Sequence, residues 1–118
     1  MHYHVWFGTK YRKKILIGKI GQRLREIFLE VMQNKNFVIA EMALNLDHAH
    51  MLIEANNEKE LSAIMRVLKA VSSKKIREEC PELKIRQDSF WAKRFGSRIV
   101  PEKQLQKVRE YIRRQSSM

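Results

Sequence analysis

The order of patterned segments along the chain predicts an α+β fold, a ferredoxin-like (βαββαβ) antiparallel sheet with helices on one face plus a C-terminal helix. Three observations carry this expectation. Short runs rich in aromatic and β-branched residues bracket two longer stretches whose apolar residues recur every three or four positions. Two of the short runs are separated by little more than Asp47, as in a tight antiparallel connection. The chain has 118 residues, 44% of them hydrophobic, which is enough for one packed core and too little for two, so 1–118 is expected to form a single domain.

His2 to Phe7 reads as the first strand, closed by Gly8 and followed by the basic loop Lys10-Tyr11-Arg12-Lys13-Lys14. From about Gly18 to Lys35, Ile20, Leu24, Ile27, Phe28 and Val31 recur at helical spacing, and Asn34 and Asn36 suit the end of that helix. Phe37 to Leu46 and Ala49 to Glu54 read as the next two strands. Asn56-Asn57-Glu58 resembles a helix start, with Leu61, Ile64, Met65, Leu68 and Val71 as the buried stripe and Pro81 stopping the helix after Cys80. Leu83 to Ile85 and Phe90 to Val100 are the remaining strand candidates. Pro101 suits the first turn of a last helix with Leu105, Val108 and Ile112 on its inner face.

Charge points to the partner class. Lys plus Arg number 24 against 13 Asp plus Glu, a formal charge of +11 that repels the chain from itself and favours a polyanion. A polyphosphate is the leading candidate, because each neutralised phosphate releases counterions, and a membrane surface is the runner-up. Residues 1–59 hold nine basic and six acidic side chains, and residues 60–118 hold fifteen and seven, so the second half leads. No apolar run exceeds a few residues, which excludes a membrane-spanning helix. One cysteine, Cys80, excludes an internal disulfide and a cysteine-based zinc site. Met-His-Tyr-His-Val-Trp-Phe lacks the features of a secretion signal, so a cytoplasmic location is expected.

The segment richest in chemistry is Asn45-Leu46-Asp47-His48-Ala49-His50-Met51-Leu52-Ile53-Glu54. On a strand, His48 and His50 project to one face, about 6–7 Å apart at Cα, close enough to share a metal ion. Two partly buried histidines with no ligand would show the same spacing. His2 and His4 repeat it at the chain start, where they count mainly as strand residues, with metal binding the lesser alternative. A metal site that does chemistry needs a third ligand and an open position. The last helix offers Tyr111 and Gln115, four apart and therefore neighbours on one face. A phenol can attack phosphorus, and a glutamine amide oxygen can ligate a metal. A zinc hydrolase using His48, His50 and a carboxylate such as Asp47 or Glu54 would need no Tyr111.

Asp47-His48-Ala49-His50-Met51-Leu52-Ile53, with Tyr111 and Gln115 near the end, resembles the single-tyrosine HUH transposases of small bacterial and archaeal insertion sequences, including the repeat-associated tyrosine transposases. The resemblance takes in Tyr3-His4-Val5-Trp6, Thr9-Lys10-Tyr11-Arg12, Lys69-Ala70-Val71-Ser72-Ser73 and Phe90-Trp91. It departs at Gly96, which stands five residues before Pro101, where the family places a glycine just before the last helix.

The resemblance implies a homodimer using Mg²⁺ or Mn²⁺ to cleave single-stranded DNA, with a hairpin near the element end, through a 5′-phosphotyrosine link. It implies His48 and His50 as metal ligands, Gln115 as the third ligand and Tyr111 as nucleophile. DNA contact is expected from Lys10 and Arg12, from Arg66, Lys69, Lys74, Lys75 and Arg77, and from Lys93, Arg94 and Arg98 around Trp91 and Phe95. A catalytically inactive single-stranded nucleic-acid-binding module on the same fold is the alternative.

Overall fold

The computed structural model describes residues 1–86 and 90–116. In chain order the elements are β1 (His2–Gly8), α1 (Gly18–Asn34), β2 (Val38–Leu44), β3 (His48–Glu54), α2 (Glu58–Glu79), β4 (Gly96–Val100) and α3 (Leu105–Arg114), with short 3-10 turns at Lys10–Arg12, Pro81–Leu83 and Glu102–Gln104. The sheet order is β2-β3-β1-β4 and every pairing is antiparallel, the split βαβ arrangement that the element order predicts.

Local chemistry explains the helix ends. Gly18 takes φ +53°, a conformation that L side chains resist, and turns the extended 13–17 segment into α1. Asn36, also left-handed at φ 59°, ends the excursion before β2. The Asn57 side chain accepts from the Glu60 N–H at 2.8 Å, while the Glu60 carboxylate accepts from the Asn56 N–H at 2.9 Å, so two orphan donors at the start of α2 are satisfied.

Alternation along the strands separates two faces. Tyr3, Val5 and Phe7 of β1 and Ala49, Met51 and Ile53 of β3 pack against Leu24, Ile27 and Phe28 of α1 and Leu61, Ile64, Met65 and Leu68 of α2. The other face carries a much smaller apolar cluster of Ala43, Leu52, Val100 and Ile112, with Leu105 and Val108 beside it. Thus α1 and α2 share one face, and α3 covers part of the other with the inner residues its periodicity predicts.

Two strand expectations are corrected. Leu83 to Ile85 forms no strand: Pro81 opens a 3-10 turn and Lys84 follows in the left-handed region at φ 52°, which breaks an extended run. Within Phe90 to Val100 only Gly96–Val100 pairs with β1; Trp91 makes a single bridge to Thr9. Phe90 and Trp91 are adjacent yet both bury their rings in the same cluster, whereas neighbours on a strand point to opposite faces. They plug the helix-side core instead, with the Trp91 ring 4.8 Å from Phe7 and its Nε1–H donating to Ser72 Oγ at 2.9 Å.

Candidate active site

The register of the two central strands builds the site. Trp6 lies opposite His50 and His4 opposite Leu52, so His2, His4 and Trp6 share the α3 face with His48 and His50. The His48 and His50 rings meet edge to face with centroids 4.9 Å apart, as the spacing of two predicts. His4 Nε2 stands 3.1 Å from His50 Nδ1 in a buried hydrogen bond. On α3, Tyr111 brings its ring to 5.7 Å from His4 and 6.1 Å from His50, roughly edge-on to both. The phenol side chain remains 47% exposed, open to a substrate.

The state of each imidazole follows from its partners. His48 Nδ1 is 2.7 Å from Asp47 Oδ1, and a carboxylate can only accept, so the proton sits on Nδ1. The Asn45 amide nitrogen lies 3.1 Å from His48 Nε2, the other ring nitrogen. The hydrogen bond from His48, with Arg12 3.9 Å away, holds the Asp47 carboxyl below its ordinary range. Burial, followed by the neighbouring His48 and His4, pushes His50 down to about 4, leaving it neutral at physiological pH. Burial also lowers His4, with Arg98 adding repulsion. Neutral imidazoles with one nitrogen oriented by a partner are the donors a divalent cation needs.

Of the two candidate carboxylates for a zinc hydrolase, Asp47 is committed to His48. Glu54 ion-pairs with His2 at 3.4 Å at the far end of β3, six residues and about 20 Å from His48. Among the described residues no three His, Cys, Asp or Glu side chains form a metal-holding group. Gln115 follows directly after α3, and its amide nitrogen donates back to the Tyr111 carbonyl at 3.4 Å rather than joining the histidines.

A cavity of about 620 Å³ opens beside the tyrosine, lined by His4, Trp6, His50, Arg98, Lys107 and Tyr111 among others. Sequence reasoning passed over His4 as a strand residue and did not single out Trp6 or Lys107. The signal for the first two was their alternation on β1, which becomes informative only once the register with β3 is known. Trp6 is 39% exposed, and a methyl group at Gly96 would collide with its indole, so the glycine at this point in β4 makes room for a ring lying across the strand.

The remaining basic residues separate into distinct places. Arg12 reaches Asp47 beside His48, and Lys10 lies in the same turn. Lys69, Lys74, Arg77 and Lys93 line a second hollow of about 420 Å³ along α2, and Arg66 joins Lys69 and Lys93 around a third. Lys69 is the structural member of this group: its half-buried ammonium donates to the Ala92 carbonyl at 2.6 Å, pinning the approach to β4, and burial lowers its pKa. Lys75 turns to Glu30 of α1 at 3.5 Å. The Arg94 carbonyl lies 3.5 Å from the same Lys69 ammonium.

Comparison with known proteins finds that the family described as "Transposase IS200 like" matches residues 1–115. The transposase for insertion sequence element IS200 from Salmonella typhimurium is 31% identical over 115 residues, covering 96% of this chain and 75% of that protein. The ISDra2 transposase of Deinococcus radiodurans is 23% identical, covering 98% of this chain and 84% of that one. Among solved structures, a candidate transposase from Deinococcus radiodurans superposes with a TM-score of 0.77 at 21% identity, over 100% of this chain and 92% of the other. A REP-associated tyrosine transposase bound to a REP hairpin superposes with a TM-score of 0.69 at 19% identity, over 94% of this chain and 63% of the other.

Proposed function

Because the chain belongs to the IS200-like transposase family, we propose that it cleaves and rejoins single-stranded DNA through a 5′-phosphotyrosine at Tyr111, with a divalent cation, Mg²⁺ or Mn²⁺, at His48 and His50. The observation that carries this reading is the placement of the Tyr111 ring against His4 and His50, which puts a phenol beside one imidazole of the His48–His50 pair at a single cavity.

A free phenol titrates near pH 10, so at neutral pH its attack requires a more electrophilic phosphate. A bound cation would supply this by drawing charge onto the non-bridging phosphate oxygens. The chain's own groups do the rest. Asp47 holds His48 by Nδ1, leaving Nε2 to ligate once the Asn45 amide gives way, α3 presents a half-exposed Tyr111 beside the histidines, and Gln115, one helical turn on, is the candidate third ligand once its amide swings from the Tyr111 carbonyl. In the reaction the Tyr111 Oη–P bond forms, the P–O3′ bond breaks, and the phenolic proton is balanced by the proton on the released 3′-hydroxyl. One phosphodiester is exchanged for another, so the step reverses without a nucleotide cofactor.

Arg98 and Lys107 line the same cavity and suit the phosphates flanking the scissile one, with the exposed Trp6 indole as a stacking surface for a base. Arg66, Lys74, Arg77 and Lys93 form a separate cationic track suited to the rest of the strand or a hairpin stem, as do Lys10 and Arg12 in the turn beside Asp47. No described helix is long and apolar enough to cross a membrane. Joining two ends needs two cuts, which a homodimer supplies. Light scattering should return twice the chain mass of 14.1 kDa, and a monomer that still cleaves would remove the dimer from this reading.

The deciding experiment is incubation with end-labelled single-stranded DNA and Mg²⁺ or Mn²⁺, resolved on a denaturing gel. A slow, protease-sensitive band that disappears in Tyr111→Phe is expected. Free 5′ and 3′ ends in both proteins would indicate a water nucleophile. Binding without any cleavage would indicate the inactive module.

A further inference from the structure

We propose that His4 is a positioning residue: it holds the His50 ring by Nδ1 and thereby directs the His50 Nε2 lone pair to the metal position. This rests on the reading of His50 as a ligand. The two rings are stacked, with centroids 5.3 Å apart, and the only polar contact between them joins His4 Nε2 to His50 Nδ1 at 3.1 Å. One of these nitrogens must donate and the other accept. If His4 donated, His50 would carry its proton on Nε2 and offer no lone pair there. If His50 donates from Nδ1, its Nε2 is free to ligate, as a ligand histidine held by an outer partner requires. Asp47 does the same for His48 through the same ring atom. The two histidines would then be oriented alike, one by a carboxylate and one by an imidazole.

The burial of His4 supports a purpose beyond packing. Only 4% of the residue is exposed, and its other nitrogen, Nδ1, is buried with no hydrogen-bond partner among the described residues. An apolar ring of similar size would fill the space between Trp6 and Tyr111 without stranding a polar atom. A site that keeps such an atom trades stability for a specific contact, and the contact here is His50. His4 does not serve as a ligand through Nε2, because that nitrogen is spent on His50.

His4→Phe keeps the ring and removes both nitrogens, while His4→Gln restores an oxygen that can accept from His50 Nδ1. Mn²⁺ binding, read from the free-ion electron paramagnetic resonance signal, should weaken about 10–100-fold in His4→Phe and recover in part in His4→Gln. The melting temperature of His4→Phe should hold or rise. Unchanged Mn²⁺ affinity in a folded His4→Phe protein overturns the proposal, and so does a fall in melting temperature with affinity intact. A long-range ¹H–¹⁵N spectrum of the wild-type imidazoles with Mg²⁺ tests it without any variant: His50 protonated on Nδ1 is expected, and protonation on Nε2 overturns it. If wild-type protein shows no Mn²⁺ binding that His50→Ala removes, the metal reading fails. The spectrum then still decides whether His4 holds His50 by Nδ1.

Discussion

The two faces of the sheet are built to different standards. On one, α1 and α2 bury a continuous apolar cluster in which Phe28, Leu24, Ile27, Met51, Ile53 and Met65 lose all contact with solvent. On the other, Ile112 of α3 is buried against only Ala43, Leu52 and Val100 of the sheet, and histidine, tryptophan, tyrosine, arginine and lysine side chains stand around an open cavity. Part of the missing apolar grip is supplied by charge: Glu41 of β2, largely buried, pairs with Arg113 at 3.0 Å and Arg109 at 3.5 Å, and Arg109 also donates to the Ala40 carbonyl. One face therefore carries most of the fold's stability, and the other gathers polar groups that a tightly packed core would exclude. Tyr111, the proposed nucleophile, sits on the more lightly held element, where small rearrangements of α3 about the histidines cost least.

The largest effect expected separates chemistry from stability. His50→Ala should abolish the covalent DNA adduct while melting shifts by only a few degrees. Such a variant that lost cooperative unfolding instead would show that the α3 face is as structural as its opposite. Next in size is Phe28→Ala, which should cost about 3–5 kcal/mol in urea unfolding, with cleavage retained wherever the protein is still folded. Ile112→Ala probes the small cluster. It should cost about 2 kcal/mol, the low end for such a truncation, and hydrogen exchange should accelerate in α3 before it does in the sheet. Equal acceleration throughout would mean that α3 is not a separate unit.

The smallest effect is acid-dependent and lies on the stable face. Arg23 of α1 grips Glu79 of α2 with two bonds, at 2.7 and 3.0 Å, and this hydrogen bonding lowers the Glu79 pKa. A lowered carboxylate contributes stability that is present above its ordinary pKa and is lost as pH falls through the depressed value. Glu79→Gln should therefore melt slightly below wild type at pH 7, and the two curves should converge in acid. A difference that persists at low pH would assign the effect to packing.

Element order and helix faces were legible in the sequence because they depend on local periodicity: Leu24, Ile27 and Val31, or Leu61, Ile64 and Leu68, are buried as their spacing requires. The paired orientation of His48 and His50 was legible for the same reason. The stretches 83–85 and 90–95 were misread, since β-prone residues do not form a strand without an open edge to pair with, and Phe90 and Trp91 found a better place inside the core.

By itself the sequence determined the alternation of the strands, the helical stripes, the excess of cations and the family of transposases to which the chain belongs. Only the tertiary structure decided that His4 touches His50, that Lys69 anchors a loop and that the Tyr111 ring meets His4 and His50. Periodicity reports which face a side chain takes on its own element. Contacts between residues 23 or more positions apart depend on strand register and on the angle at which a helix docks, and both are set by packing of the whole chain.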